Sequence, residues 1–400
     1  MTDAPLAPTP LHLLRSHSAP ISALAWSTDN ERIYTADGKG KVVVTSTRSL
    51  RALASWAAHT DSVLGVEEWE KHIVTHGRDN KVHVWQRIKE LPSEARIGGS
   101  AALPSLPTPV LCYSMDVNAL NFCRFSLLCL SQTSEPLALI ALPNLVDSST
   151  ADIWMLPSKE RVHAAIGQEI KKPLLSENTG GRNTSGIITS LHLYQHNPAP
   201  DGLRLLTAYE NGSVVLRAYN RMDKPVSIEG EGWVILWTSK LHVESIMAMQ
   251  VSRTNDFALT VSADHIIGRY DLTDSKPADD QHGILFRTKH AGNGSVALRD
   301  DGRICAVGGW DGKIRLYSTK SLKPLGTLKY HKSACQCVEF AHQISTSTEQ
   351  TSPIDAEEAS DSEDEDEEMG PQEKAERARW LVSGSKDSRV AIWSLLNFGK

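Results

Sequence analysis

The sequence has few aromatic residues, few cysteines and no long apolar run. Aromatic residues make up 6% of 400 positions. The longest apolar stretches, Leu127–Leu130 and Leu137–Leu142, are far shorter than the ~20 residues that a membrane-spanning helix needs. A P-loop, a G-x-G-x-x-G motif and a basic run with interleaved aromatics are all missing. We therefore expect no membrane partner, no cofactor and no direct nucleic-acid readout.

The chain also lacks the features of a secreted protein. Its first ten residues, MTDAPLAPTP, contain an early acid and three prolines, without the basic and apolar regions of a secretory signal. The six cysteines have no disulfide-framework spacing. Reduced thiols in a cytosolic or nuclear protein are the expectation.

Negative charge is concentrated in one segment. Twelve acidic residues and one lysine lie in 351–376, whereas the whole chain has a net charge of −6, so the remainder is mildly basic. We predict a disordered acidic insertion over 345–376, because such a segment cannot bury a core. Ser360 and Ser362 each precede an acid by three positions and are candidate phosphosites. Contact with a basic partner and a solvated loop without a partner both remain open as interpretations.

What the sequence does contain is a short repeated pattern. An aspartate in a glycine- or serine-rich turn is followed six positions later by an aromatic residue, with a β-branched run between them. Copies lie at 75–85, 260–270, 307–317 and 383–393, and a degenerate copy lies at 207–217. Each copy predicts a turn and an alternating strand, and such repetition is typical of a propeller.

We therefore predict an all-β fold, a seven-bladed β-propeller that occupies 1–400 as a single domain. Seven units need roughly 280–315 residues, and the excess is assigned to a Pro-rich loop at 90–110 and to the acidic insertion within blade 7. No segment after the third strand of blade 7 can supply a fourth strand. We expect residues 10–16, PLHLLRS, to supply it and to close the ring.

The blades differ in how well they match the pattern. In blade 1 Gly40 occupies the aspartate position, and in blade 4 Asn211 and Arg217 occupy the aspartate and aromatic positions. NALNFCRFSLL, at 118–128, is predicted as the first strand of blade 3, which Trp154 closes. The residues assigned to blades 5 and 6 are Thr260, Asp264, Tyr270, His290, Asp311 and Tyr317.

Two sets of four residues carry a hydroxyl, an imidazole, a carboxylate and an indole. They are His59, Thr75, Asp79 and Trp85 in blade 2, and His331, Ser383, Asp387 and Trp393 in blade 7. A catalytic triad would appear once, in a cleft, so a set used twice at repeat spacing is interpreted as structural. We expect two complete tetrads, incomplete networks in the other blades, and no enzyme activity.

A metal site is the alternative interpretation of Cys335-x-Cys337 with His331. The pair has no matching second half, and residues two apart in a strand share one face, so we expect no metal. Partners of propellers often dock on the face that carries the turns, where the residue before each turn aspartate points outward. Arg78, Trp310, Lys386 and Glu210 are therefore candidate partner-binding residues, with Lys39 and Ala263 at equivalent positions.

The repeats resemble WD40 repeats, and the whole chain resembles the ASTRA-associated protein 1 family of fungi, whose animal relatives are called guanine nucleotide-binding protein subunit beta-like. The strings that carry this are HSAPISALAW, NALNFCRFSLL, GWDGKIRLY, LKYHKSACQCVEFA and LVSGSKDSRVAIWSL. The resemblance implies a nuclear scaffold subunit of the ASTRA complex, with some presence in the cytoplasm, linked to chromatin remodelling and to maturation of PI3K-like kinases. It implies RuvB-like AAA ATPases, a Tra-type pseudokinase and a kinase-maturation cochaperone as partners.

Three other functions are compatible with a propeller fold. A substrate adaptor of a ubiquitin ligase, or another WD40 signalling scaffold, is the alternative. A G-protein β subunit would need an N-terminal helix that coils with a γ subunit, and three prolines without heptads argue against it. A propeller hydrolase would need a catalytic constellation in the central channel, which the sequence does not indicate.

Overall fold

The computed structural model describes residues 8–88, 106–130, 136–168, 185–196, 202–221, 223–273, 282–343 and 369–395. The regular structure in these ranges is 28 strands and one helix, arranged as seven four-stranded antiparallel sheets. The prediction of an all-β, seven-bladed propeller is therefore confirmed. No helix in the described ranges is long and apolar enough to cross a membrane.

The blades follow the chain in order, and each begins with its innermost strand. The strands of blades 1 to 3 are β2 (Ile21–Trp26), β3 (Arg32–Asp37), β4 (Lys41–Ser46), β5 (Ala52–Ala57), β6 (Val63–Trp69), β7 (His72–Gly77), β8 (Lys81–Gln86), β9 (Leu111–Asp116), β10 (Ser126–Leu130), β11 (Leu137–Pro143), β12 (Ala151–Leu156) and β13 (Glu160–Ile166). Those of blades 4 to 6 are β14 (Ile188–Gln195), β15 (Leu203–Tyr209), β16 (Ser213–Tyr219), β17 (Trp233–Lys240), β18 (Ile246–Val251), β19 (Phe257–Ser262), β20 (Ile266–Asp271), β21 (Gly283–Arg287), β22 (Asn293–Leu298), β23 (Ile304–Gly309), β24 (Lys313–Ser318) and β25 (Pro324–Lys329). Blade 7 combines β26 (Cys335–Phe340), β27 (Trp380–Ser385) and β28 (Val390–Ser394) with β1 (His12–Leu14).

The N-terminal strand closes the ring, as predicted. β1 pairs antiparallel with β28, with Leu14 opposite Val390. The Leu11 amide extends the ladder by donating to the Ile392 carbonyl at 2.7 Å. Leu14 is buried in the cluster that joins blade 7 to blade 1, so the first and last parts of the described chain hold each other in place.

The core is a ring of seven clusters and not one central core. Each cluster of buried apolar side chains lies between two neighbouring blades, and together the seven cover every blade-to-blade junction. The second strands are the most deeply buried, and every residue of β19 is buried. Because each blade contacts mainly its two neighbours, losing one edge of the ring exposes an entire junction.

Because neighbouring strands are antiparallel, the loops lie on two opposite faces of the ring. The turns from second to third strands and the connections between blades lie on one side, which we call the turn face. The connections from first to second strands and from third to fourth strands lie on the opposite side, which we call the insert face. The end of β26 and the start of β27 lie on the insert face.

The prediction that 345–376 is disordered is wrong at its C-terminal end. Residues Pro371–Arg377 form a helix, α1, with proline at its first position, and the Gly370 amide donates to Glu373 at 3.4 Å. An ion pair of 2.7 Å joins Lys374 to Glu31 of blade 1, and Met369 is buried. The helix can contact blade 1 because the last residues of the segment carry charges of both signs and an apolar side chain, Met369. Residues 345–368, with Ser360 and Ser362, lie outside the described ranges.

Two other boundaries differ from expectation. The first strand of blade 3 begins at Ser126 and not at Asn118, because 117–125 forms the connection from blade 2. Of the predicted Pro-rich loop at 90–110, only 106–110 is described, and it leads into β9, the fourth strand of blade 2. The repeat pattern marks third strands and their turns, so it gave no position for this outer strand.

Candidate functional site

A chain of hydrogen bonds joins the four polar side chains of blade 2. The His59 Nδ1 lies 2.9 Å from Asp79 Oδ1, and its Nε2 lies 2.9 Å from Thr75 Oγ1. The Trp85 indole donates to the same hydroxyl at 2.9 Å. Because the carboxylate can only accept, Nδ1 carries the imidazole proton and Nε2 accepts from the threonine. The network ties β7, β8 and the turn between them to the preceding connection.

Blade 7 contains the same arrangement. His331 Nδ1 lies 3.2 Å from Asp387 Oδ2, and its Nε2 lies 2.9 Å from the Ser383 hydroxyl. Trp393 donates to that hydroxyl at 2.9 Å. Blades 2 and 7, on either side of blade 1, thus have tetrads of matching geometry. The four side chains of each tetrad are therefore a feature of the repeat.

Burial keeps both tetrads in one protonation state. It lowers the pKa of His59 and of His331, although the partner aspartate of each opposes the shift. Burial alone would raise the pKa of Asp79, but the Thr60 amide and His59 outweigh it and hold that pKa below its usual value. Each pair is therefore a neutral imidazole donating to a carboxylate, which gives a fixed network.

Blades 1 and 5 contain hydrogen-bonded networks, although the sequence predicts incomplete ones there. In blade 1 His17 lies 2.8 Å from Asp37 and 2.7 Å from Thr35, so Asp37 and not Gly40 supplies the carboxylate. In blade 5 His242 lies 3.1 Å from Asp264 and 2.7 Å from Thr260.

Tyr270 takes the aromatic position of the blade 5 network, with its hydroxyl 3.5 Å from that of Thr260. The sequence contains a signal for the networks of blades 1 and 5. His17 and His242 each precede a strand threonine by 18 residues, close to the 16 residues between His59 and Thr75.

Arginine replaces the indole or the imidazole in two other blades. In blade 4 Arg217 donates to the Thr207 hydroxyl at 2.9 Å, while Asn211 accepts from Ser213 at its own turn. In blade 6 Arg315 forms a bidentate pair with Asp311 at 3.1 and 2.6 Å. His290, assigned to blade 6 from the sequence, is exposed and contributes no ring contact to this pair.

Blade 3 uses buried amides instead. Asn118 donates to the Asn144 carbonyl at 2.7 Å, and the Asn144 side chain donates to Asp152 at 2.9 Å. Asn121 donates at 2.8 Å to two carbonyls, those of Ser148 and Ile188. The repeat pattern did not indicate this cluster, because Asn118 and Asn121 lie in the connection from blade 2, which the pattern does not cover.

The hydroxyls of the tetrads are inaccessible. Thr75 and Ser383 are both 0% exposed, so substrate cannot reach either oxygen.

The described residues include one group with metal-ligand spacing, His59, Asp79 and His83. Both ring nitrogens of His59 are already used within its tetrad. His331 likewise uses both ring nitrogens, so it offers no ligand atom for a metal at Cys335 and Cys337. Burial raises the pKa of the Cys335 thiol to about 12.

The predicted partner-binding residues lie on the turn face, one on each of four blades. Arg78, Glu210, Trp310 and Lys386 are exposed, as is Lys39, whereas Ala263 is half-buried. They are spread round the ring and do not form one cluster. Each stands at the tip of a second-to-third-strand turn.

Trp310 is half-exposed and rests on the chain that precedes β22. A Cβ added at Gly292 would lie 2.8 Å from Trp310 Cε3, and one at Gly294 would lie 3.1 Å from its indole nitrogen. These glycines allow one face of the indole to pack against main chain while its edge faces solvent. The position is that of an anchored side chain with surface available for contact.

Comparison with known proteins gives the family. The model of the WD domain, G-beta repeat, matches residues 8–45 and 287–318. An ASTRA-associated protein 1 from Verticillium alfalfae is 31% identical over 411 residues, covering 98% of this chain and 94% of that protein. Proteins of the same name from Pyricularia oryzae and Schizosaccharomyces pombe are 29% and 27% identical, over 98% and 84% of this chain and 99% and 94% of their own length.

The chain belongs to the ASTRA-associated protein 1 family. The resemblance seen in the sequence is thereby confirmed. In this family member the strings that carried it map to distinct parts of the propeller. HSAPISALAW contains His17 of the blade 1 network and strand β2, and NALNFCRFSLL contains the buried amides of Asn118 and Asn121.

Proposed function

We propose that this chain is a non-catalytic scaffold subunit of the nuclear ASTRA complex, acting in chromatin remodelling and in the maturation of PI3K-like kinases. The observation that carries the proposal is its near-full-length similarity to a protein named ASTRA-associated protein 1. The partners we propose are RuvB-like AAA ATPases, a Tra-type pseudokinase and a kinase-maturation cochaperone. Localisation in the nucleus, with some in the cytoplasm, belongs to the same proposal.

The geometry supports a role in binding over one in catalysis. Each hydroxyl–imidazole–carboxylate set of blades 2 and 7 lies inside a blade, and its oxygen is buried. The exposed side chains instead include an aromatic anchor, Trp310, and cations at turn tips such as Arg78 and Lys386. Aromatic and arginine side chains of this kind contribute most of the binding free energy at protein interfaces.

Affinity purification of the tagged full-length chain, followed by mass spectrometry, tests the proposal. We expect recovery of AAA ATPases and kinase-maturation factors, and reduced recovery of at least one of them with Trp310→Ala. Leu325→Ala is the matched control, because Leu325 is an exposed apolar residue on an outer strand, away from the turn face. Recovery of cullins would favour the ubiquitin-ligase adaptor instead, and recovery of γ subunits would favour a G-protein β subunit.

A further inference from the structure

Four exposed apolar side chains lie on two adjacent loops of the turn face, beside blade 3. Leu120 and Phe122 belong to the connection between blades 2 and 3 and are 73% and 61% exposed. Leu145 and Val146 belong to the adjacent β11–β12 turn and are 46% and 95% exposed. We call these four residues the Phe122 patch. A cluster of this kind on neighbouring loops indicates an interaction surface.

Buried amides hold the two loops of the patch in one arrangement. The Asn118 side chain spans them by donating to the Asn144 carbonyl at 2.7 Å and to the Ser148 hydroxyl at 3.0 Å. Asn121, which is almost fully buried, anchors the same connection to the Ser148 carbonyl. Because these loops are already ordered, they lose little conformational entropy when a partner binds.

Phe122 has a backbone conformation that its side chain does not favour. Its φ is +56°, in the left-handed region that bulky residues rarely adopt. Leu322 has a similar φ of +51°, but its side chain is only 4% exposed, so burial offsets the strain. The ring of Phe122 gains no such burial. Its neighbours Asn121 and Cys123 are buried, so the strained position is one at which this ring alone faces solvent.

Arg78 adds a specific charge to the patch. Its guanidinium lies 4.2 Å from the centroid of the Phe122 ring, and the side chain is exposed. Among the described residues, this guanidinium has no carboxylate partner and no hydrogen bond, although Asp61 is exposed in the preceding connection. Stacking on the ring fixes the guanidinium plane and leaves its donors available for a carboxylate, which arginine binds in a bidentate manner.

We propose that the Phe122 patch, with Arg78, docks a segment of a partner protein in which apolar side chains stand next to an aspartate or glutamate. The apolar side chains cover Leu120, Phe122, Leu145 and Val146, and the carboxylate pairs with Arg78. The occupant is acidic because the Arg78 guanidinium has no carboxylate partner among the described residues. The exposed acid beside the patch, Asp147, already accepts from the amide and the hydroxyl of Ser149. This inference rests on the proposal that the turn face binds protein, but not on which complex the protein joins.

Photo-crosslinking in cells tests the docking site. Benzoylphenylalanine replaces Leu120 in the tagged full-length chain, the crosslinked peptide is identified by mass spectrometry, and Val243 is the control position. Val243 is an exposed apolar residue of the turn face in the connection before blade 5. We expect a crosslink to another protein, at a segment with apolar residues within about four positions of an acid, one helical turn.

Two variants then test the side chains. Arg78→Glu and Phe122→Asn should each lower the crosslink yield about tenfold, as loss of a central interface residue does. Lys289→Glu, a charge reversal at an exposed position in the connection before blade 6, should leave the yield unchanged. Asparagine tolerates positive φ, so Phe122→Asn should keep or raise the thermal midpoint while it weakens docking. That combination separates loss of contact from loss of fold.

Several outcomes would overturn the docking site. They are crosslinks confined to this chain or to a second copy of it, crosslinks to a Lys- or Arg-rich segment, and a yield that Arg78→Glu does not change. If AAA ATPases still co-purify in such a case, the docking site is wrong and the scaffold proposal stands. If the acidic segment is crosslinked but no ATPase or kinase-maturation factor is recovered, the scaffold proposal fails and the docking site stands.

Discussion

Leu14 of β1 lies opposite Val390 of β28 in the ladder that closes the ring. Both side chains are buried in the same cluster, together with Ile21 of the next blade. The ladder therefore joins two parts of the chain that are remote in sequence, and blade 7 would have an exposed edge at β28 without it.

Removal of residues 1–16 should lower the stability of the whole propeller. The truncation deletes β1 and the buried Leu14 and leaves the β28 edge unpaired, so we expect a loss of at least about 2 kcal/mol in the free energy of unfolding. Urea unfolding of the purified protein measures this. Removal of residues 1–7 is the matched control, since it leaves β1 and Leu14 in place. Equal midpoints for the two truncations would show that β1 does not support the ring.

Loss of the indole donor should have similar effects in blades 2 and 7. Trp85→Phe and Trp393→Phe each remove a 2.9 Å hydrogen bond to a buried hydroxyl, and we expect each to cost about 1–3 kcal/mol. Tyr270→Phe should cost less, because its hydroxyl lies 3.5 Å from that of Thr260. Thermal and urea unfolding give the three values. A much larger effect in one tetrad than in the other would contradict their equivalence.

Buried histidines should make the fold sensitive to acid. Burial lowers the pKa of His76 to about 3, whereas an unfolded histidine titrates near 6.5, so the unfolded state binds more protons in acid. The contribution of His76 is complete above pH 6.5 and is lost as the pH falls toward 3, by up to about 1.4 kcal/mol per pH unit. Urea unfolding at pH 7, 6 and 5 should therefore show a steeper loss for the wild type than for His76→Gln.

The wild-type pH profile by itself does not isolate this effect. Burial also raises the pKa of Glu339 to about 7, and a carboxyl with a raised pKa contributes stability that is gained as the pH falls from 7 toward 4.5. Because the two groups act in opposite directions in one window, the comparison must be between variants. Glu339→Gln should therefore steepen the acid loss relative to the wild type.

Residues 345–368 of the acidic insertion should be removable from the fold, but α1 should not. Joining residues 344 and 369 through a short Gly-Ser turn shortens one loop, and closure entropy depends only weakly on loop length, so we expect an unchanged unfolding midpoint. Extending the deletion through 377 also removes Met369 and the Lys374–Glu31 ion pair, and it should lower the midpoint.

Binding should separate the two interpretations of the acidic charge. If the charge recruits a basic partner, the shorter deletion weakens a salt-sensitive contact, because exposed charges are screened beyond ~8 Å at physiological salt. Phosphorylation of Ser360 and Ser362 would add about −3 to −4 of charge and strengthen that contact. Pull-downs at low and high salt measure the difference. An unchanged profile at low salt would favour the solvated loop.

The repeat in the sequence determined the architecture, since each copy specifies one turn and one third strand. The limits of β26 and β27, at Phe340 and Trp380, and the pairing of the N-terminal segment with β28 could also be predicted. These features follow from local patterns of turn residues and alternating apolar residues, which act over a few positions. The same is true of the two complete tetrads, whose residue types stand at fixed spacing.

Only the tertiary structure decided which other side chains meet. Asp37 lies two residues after Thr35, outside the usual aspartate position, yet it reaches His17 because the turn brings the carboxylate back. The amide cluster of blade 3 joins the connection from blade 2 to the β11–β12 turn and to the start of β14. The contact between Arg78 and Phe122 joins a turn of blade 2 to the connection that follows this blade. Such contacts depend on how one blade packs on the next. Spacing within a repeat specifies the inside of a blade, but the geometry of the ring determines the surfaces between blades and the groups that they present to a partner.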